Sequence, residues 1–154
     1  MTPRRAAEPF DWAGLLALIQ RAFRGMEGRI DPPSSLHRLT PAGIAEQSGT
    51  GEVWVIGDPA LACMFLTMKP GRLYLGKLAV EPQAQGRGYG RGLVAWAETR
   101  AAALGLPVLE LETRVELEEN HTFFQGLGFV ETARKAHPGF DRPTSITFAK
   151  TVGG

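Results

Sequence analysis

The chain has 154 residues, long enough to bury a core without covalent staples, and its 17 Lys and Arg against 16 Asp and Glu leave a formal net charge of +1, which excludes a global nucleic-acid footprint. Its single cysteine, Cys63, excludes an internal disulfide. No uncharged apolar stretch could span a bilayer, and Met1-Thr2-Pro3-Arg4-Arg5 leads into a segment with Glu8 and Asp11 in place of an apolar signal core, so a cytoplasmic protein with no membrane partner is expected.

In chain order, a short strand after Thr2 precedes a helix capped by Asp11, whose Leu15, Leu18, Ile19, Ala22 and Phe23 form one apolar stripe. Residues 24–39, with Gly25, Gly28, Pro32, Pro33, Ser34 and Ser35, read as a long surface loop. Thr40-Pro41 opens a second, short helix. Residues 52–56 and 61–68 read as strands joined by the turn Gly57-Asp58-Pro59-Ala60. Residues 73–80 are apolar without clean alternation, the pattern of a central strand covered on both faces. A helix opening near Leu93 carries Leu93, Ala97, Ala101 and Leu104 on one side and stops at Gly105 and Pro107. Residues 108–113 alternate as a strand, and 129–136 and 144–150 form the last two strands around His137-Pro138-Gly139-Phe140-Asp141-Arg142-Pro143. No repeat or linker divides the chain, which predicts one domain over residues 2–151.

Between the central strand and the long helix lies Gln85-Gly86-Arg87-Gly88-Tyr89-Gly90-Arg91-Gly92. Glycine lets successive amides converge on an anion, the following helix adds the positive end of its dipole, and Arg87 and Arg91 add full charge. A pyrophosphate is the natural guest. The dinucleotide fingerprint G-x-G-x-x-G fails, because Arg91 and Leu93 stand where its third glycine belongs. A P-loop is nearly spelled by Gly71, Gly76 and Lys77, but Leu78 occupies the position of the magnesium-binding hydroxyl. What fits is Q-x-x-G-x-G, on Gln85, Gly88 and Gly90. A later run, Asn120-His121-Thr122-Phe123-Phe124-Gln125-Gly126-Leu127-Gly128-Phe129, sets an asparagine before a short helix ending in Leu-Gly-Phe.

With these two motifs in this order of elements, the chain resembles the GNAT family of acyl-coenzyme A-dependent N-acetyltransferases over nearly its whole length. The resemblance implies an α+β (mixed α/β) fold: a mostly antiparallel, twisted sheet of about seven strands, splayed between the fourth and fifth and flanked by about four helices. It implies acetyl-CoA as co-substrate, with no metal. The pantetheine arm would pair with Leu78, Ala79 and Val80, and the pyrophosphate would rest on Gln85, Gly86, Arg87, Gly88, Tyr89, Gly90 and Arg91. Asn120 and Phe124 would face the cofactor arm. An amine of a small molecule or peptide would attack the thioester directly, with no acyl-enzyme. A homodimer through the last strands is a further implication.

A lysine-like amine, with a reference pKa of ~10.4, must lose a proton before it attacks. Glu110 and Glu112 share one strand face beside the splay that the resemblance implies, and Glu112 is the candidate base; salt bridging to Lys77 or Arg114 is the alternative use. Tyr74 matches the position of the base in the histone-modifying branch, but a phenol with pKa ~10 is a poor base at neutral pH. Many relatives carry a tyrosine four residues after the asparagine, to protonate the leaving thiolate. Here that residue is Phe124, so proton return falls to water, to His121 or to the thiol's own basicity. Cys63, inside an apolar run, reads as a core thiol. Around the acceptor, Glu27 and Asp31 suit a cationic amine, whereas Arg29, His37, His137 and Arg142 suit a carboxylate. Two alternatives to an enzyme follow from the residues: a non-catalytic acyl-CoA-binding sensor on the same scaffold, suggested by Phe124, and a nucleotide-binding module built on Gly76-Lys77.

Overall fold

The computed structural model describes residues 2–152. After a two-residue strand β1 (Arg4–Arg5), helix α1 (Trp12–Phe23) is capped by Asp11, whose carboxylate accepts the Gly14 N–H at 3.0 Å. The segment that follows is more ordered than the expected loop, because two 3₁₀ turns, Arg24–Met26 and Ser35–Arg38, give its backbone groups local partners. Helix α2 (Pro41–Thr50) starts on the Thr40 cap with proline in its first turn.

Strands β2 (Glu52–Ile56), β3 (Ala62–Lys69), β4 (Arg72–Val80), β5 (Val108–Arg114), β6 (Val130–Lys135) and β7 (Ser145–Thr151) complete a seven-stranded sheet in the order β1-β2-β3-β4-β5-β7-β6. Every pair is antiparallel except β4 with β5. Helix α3 (Tyr89–Ala103) leads from β4 to β5, and α4 (Glu118–Gly126) leads from β5 to β6. The expected mixed fold of seven strands and four helices is what forms. None of the described helices is long and apolar enough to cross a membrane.

Two apolar clusters fill the two faces of the sheet. One packs α3 and α4 residues, including Leu93, Ala97, Ala101 and Phe124, on Leu66, Leu73, Leu75, Leu109 and Leu111; the other packs α1 and α2 on Val53, Val55, Cys63, Phe65 and Ala79. The broken alternation of β4 has a local cause: Phe65 faces Lys77 while the next residue, Leu66, faces Leu75, so Gly76 is an extra residue in β4. Leu73 and Leu75 therefore point to the α3 face before the bulge, and Leu78 and Val80 after it, with Ala79 on the α1 face. The bulge also places Gly76-Lys77 inside a strand, which removes the loop that a P-loop needs.

A buried ion pair ties α3 to the sheet. Glu52, 7% exposed, accepts from Arg100 at 2.9 and 2.5 Å and from Trp54 Nε1 at 2.8 Å. Burial would raise its carboxyl pKa, but these bonds outweigh burial and leave it lowered.

Candidate active site

A strand pairing that stops short creates the site. β4 and β5 are in register only where Leu73, Tyr74 and Leu75 meet Leu109, Glu110 and Leu111. From Gly76 onward β4 keeps β3 as its only strand neighbour among the described residues. The β5-facing amides and carbonyls of residues 76–80 thus border an open gap, an edge that an extended, amide-bearing chain can pair with.

Beyond the gap, a turn at Pro82–Ala84 leads to Gly86 and Gly88, whose φ angles of +84° and +85° lie in the left-handed region that glycine favours. Gly88 is the N-cap of α3, and no side chain caps the helix there. Gly92 N–H makes its helical bond to Gly88 O at 2.9 Å, so the amides of Tyr89, Gly90 and Arg91 have no intrahelical acceptor. They present donors and a positive dipole end at one point. The helix opens four residues earlier than Leu93, since glycines at 90 and 92 mask a start that packing of Leu93, Val94 and Ala97 enforces.

A cleft of about 890 Å³ joins the turn to the gap. Leu78, Ala79, Val80, Gln85, Gly86, Gly88, Tyr89, Gly90, Arg91, Asn120 and Phe124 all line it. Of the residues expected to meet the cofactor, Arg87 alone does not line it; its side chain is exposed. Phe124 is 6% exposed and packs edge-on against Phe123 and Phe129, so most of its ring is core. Sequence reasoning missed Phe23, Met26, Lys77, Thr113 and Glu119, which also border the cleft. The Thr113 hydroxyl is buried with no hydrogen-bond partner among the described residues; a threonine on an alternating strand gave no signal of that.

A second cavity, of about 410 Å³, is lined by Ser34, Ser35, Arg38, Tyr74, His137, Phe140 and Ser145, among others. Lys77, Glu112, Thr113 and Arg114 border both cavities, so the two meet at the β4–β5 gap. Glu112 is held by Lys135 at 3.1 Å and Glu110 by Arg72 at 3.0 Å, in place of the expected Lys77 or Arg114. Arg114 instead donates to the carbonyls of Pro32 and Pro33 at 2.7 and 3.2 Å. Burial, with Glu112 and Glu110 nearby, pushes the Tyr74 phenol up to about 12. Burial alone lowers the pKa of the Lys77 ammonium.

The remaining candidates are scattered. His121 lines neither cavity: its Nε2 lies 2.9 Å from Arg114 O, and since a carbonyl only accepts, that nitrogen carries the proton. Arg29 reaches the cleft but is engaged with Glu119 through two bonds of 2.8 Å. Asp31 pairs with Arg142 at 3.3 Å. His137 borders the second cavity with its ring bonded to Thr144, whereas Glu27 and His37 border neither. Cys63 is fully buried and its thiol is pushed up to about 12, which removes it as a nucleophile. Among the described residues no group of three or more His, Cys, Asp or Glu is placed to hold a metal ion.

A sequence model of the acetyltransferase (GNAT) family matches residues 12–129. No curated protein sequence matches significantly. Solved structures do. An acetyltransferase described as of the GNAT family from Desulfovibrio desulfuricans superposes with a TM-score of 0.79 at 18% identity, covering 99% of each chain. PaiA N-acetyltransferase from Thermoplasma acidophilum, solved in complex with coenzyme A, gives 0.76 at 13%, covering 98% of this chain and 99% of that one. The ribosomal-protein-S18-alanine N-acetyltransferase from Escherichia coli gives 0.73 at 20%, covering 99% and 96%. At these identities the likeness is one of fold.

Proposed function

This chain belongs to the GNAT acetyltransferase family, and from that premise we propose that it moves an acetyl group from acetyl-CoA to a primary amine of a small molecule or peptide, as one domain over residues 2–151. The observation that carries the reading is the continuity of the cleft: an unpaired strand edge at residues 76–80 runs into the uncapped start of α3. A thin amide-bearing arm followed by a diphosphate has the shape and polarity of that path. Main-chain amides at Gln85 to Arg91 hold the diphosphate, and residues Leu78 to Val80 pair with the arm.

The amine nitrogen attacks the thioester carbonyl carbon, the C–S bond breaks, and the thiolate leaves. Glu112 takes the ammonium proton, because it borders both cavities at the gap. The returning proton comes from solvent, since the ring at 124 has no hydroxyl and His121 lies outside the cleft lining. A peptide N–H near Val80 stabilises the developing oxyanion. A single buried cysteine suits the reducing cytoplasm as the place of action.

Phe124 and the ion-paired state of Glu112 favour a second reading, a non-catalytic acyl-CoA sensor. Calorimetry with coenzyme A and thiol release from acetyl-CoA across an amine panel separate the two. Saturable heat with turnover supports the enzyme; heat without turnover on any amine leaves the sensor; no heat removes both.

A further inference from the structure

We propose that the 410 Å³ cavity holds the carboxylate of the acetyl acceptor on Lys77 and Arg38, so that the acceptor is a small amino acid-like molecule. The inference rests on the acetyl-transfer reading and names its substrate class. The volume falls in the range of small-molecule sites, about 300–1,000 Å³.

The charges around the cavity carry the argument. Four cationic or protonatable side chains border it, Lys77, Arg38, Arg114 and His137, against one carboxylate, Glu112. Three of these five are already engaged: Arg114 with the Pro32 and Pro33 carbonyls, His137 with Thr144, and Glu112 with Lys135. Lys77 and Arg38 form no ion pair or side-chain hydrogen bond among the described residues. Arg38 is exposed, but Lys77 is partly buried in a strand between Gly76 and Leu78, opposite Phe65. A cation taken from water without a counter-charge costs free energy that an anion in the cavity offsets.

Position completes the case. Lys77 and Glu112 both border the gap as well as the cavity. A zwitterion can therefore set its ammonium towards Glu112 and the thioester while its carboxylate faces Lys77 and Arg38. A polyamine would bring a second ammonium against the same two cations, so the lining selects against it.

The test titrates N-acetyl amino acids and their primary amides, as product-like probes over a range of side chains, into the protein saturated with coenzyme A. At least one acid is expected to bind tenfold or more tighter than its amide. Lys77→Met and Arg38→Ala should each erode that preference towards unity without weakening the amide. Arg38 lies on an exposed turn, so its variant tests the idea even if Lys77→Met fails to fold. Equal binding of acid and amide, binding of neither, or full preference in both variants overturns the inference while the coenzyme A heat leaves acetyl transfer standing. Absence of that heat overturns acetyl transfer and this inference with it. A C-terminally amidated peptide with an acidic second residue is the other arm: preference for it over the free amino acid assigns the carboxylate to a peptide and overturns the small-molecule acceptor.

Discussion

The two sides of the β4–β5 gap are built by different means. On the donor side, one continuous stretch from Gly76 to Arg91 supplies the edge, the turn and the helix start, and nearly every proposed contact is main chain. On the acceptor side, side chains from β4, β5, the segment after α1 and the β6–β7 connection converge from positions as distant as Arg38 and Ser145. The donor side is thus specified by conformation, and the acceptor side by identity. Substitutions should respect that division: donor-side defects arise where backbone geometry is disturbed, acceptor-side defects where a functional group is lost.

The largest effect tests the foundation of the donor side. Arg100→Ala removes the main partner of the Glu52 carboxylate beneath α3 and should cost about 3 kcal/mol, the low end for a buried pair, because Arg100 is 23% exposed and Arg5 and Trp54 still face Glu52; thermal or urea unfolding measures it. The pH dependence follows from the lowered Glu52 pKa. Its stabilisation is complete above the unfolded value near 4.5 and is lost as pH falls through the lower folded value, so Glu52→Gln should flatten that part of the acid limb.

Next in size, Glu112→Gln should reduce kcat by about a hundredfold or more, the scale of a lost general base, with coenzyme A affinity retained. Steady-state kinetics beside calorimetry checks the split. If kcat holds, the acceptor side does not depend on the identity of this side chain.

Gly88→Val probes conformation without crowding, because a Cβ there meets no atom within 4 Å yet φ is +85°. Forcing a branched residue into that region costs roughly 1–2 kcal/mol. Coenzyme A should bind about tenfold more weakly, as calorimetry would read, with kcat for bound substrate nearly unchanged.

The smallest effect belongs to the exposed pair Arg29–Glu119. Arg29 holds the Glu119 carboxyl down at about 2, so the pair persists through ordinary assay pH. Exposure limits its worth, and Glu119→Gln should change the unfolding midpoint little. A shift in acceptor KM with unchanged coenzyme A affinity would show that the pair shapes the acceptor wall.

The same division decided what could be read before folding. Glycine spacing at 86, 88 and 90 and the stripe Leu93, Ala97, Ala101 are local patterns, and they marked the turn and the helix, while the mixed seven-stranded sheet was legible only through the family resemblance that the motifs carry. The start of α3 was misplaced because glycine's low helix propensity hid an end that tertiary packing fixes. Lys77 reads locally as the lysine of a near-match P-loop or as a partner for a carboxylate of the following strand, since nothing local says that a bulge aims it into a gap. The engagement of Glu112 by Lys135 joins residues 23 apart in sequence, and the Arg29–Glu119 and Arg142–Asp31 pairs span still more. No periodicity encodes such meetings; they exist only once the sheet has closed.

The extra residue at Gly76 has a consequence for how this chain tolerates insertions and deletions. A mutational scan along β4 should show a two-residue rhythm of apolar demand that inverts its phase at Gly76, from Leu73 and Leu75 to Leu78 and Val80. Deleting that one glycine would restore an unbroken alternation in which Leu73, Leu75, Leu78 and Val80 still face α3, while the strand beyond is drawn back by one residue and the bend that the bulge gives the gap's border is lost, a change that no conservative exchange at any single site could imitate.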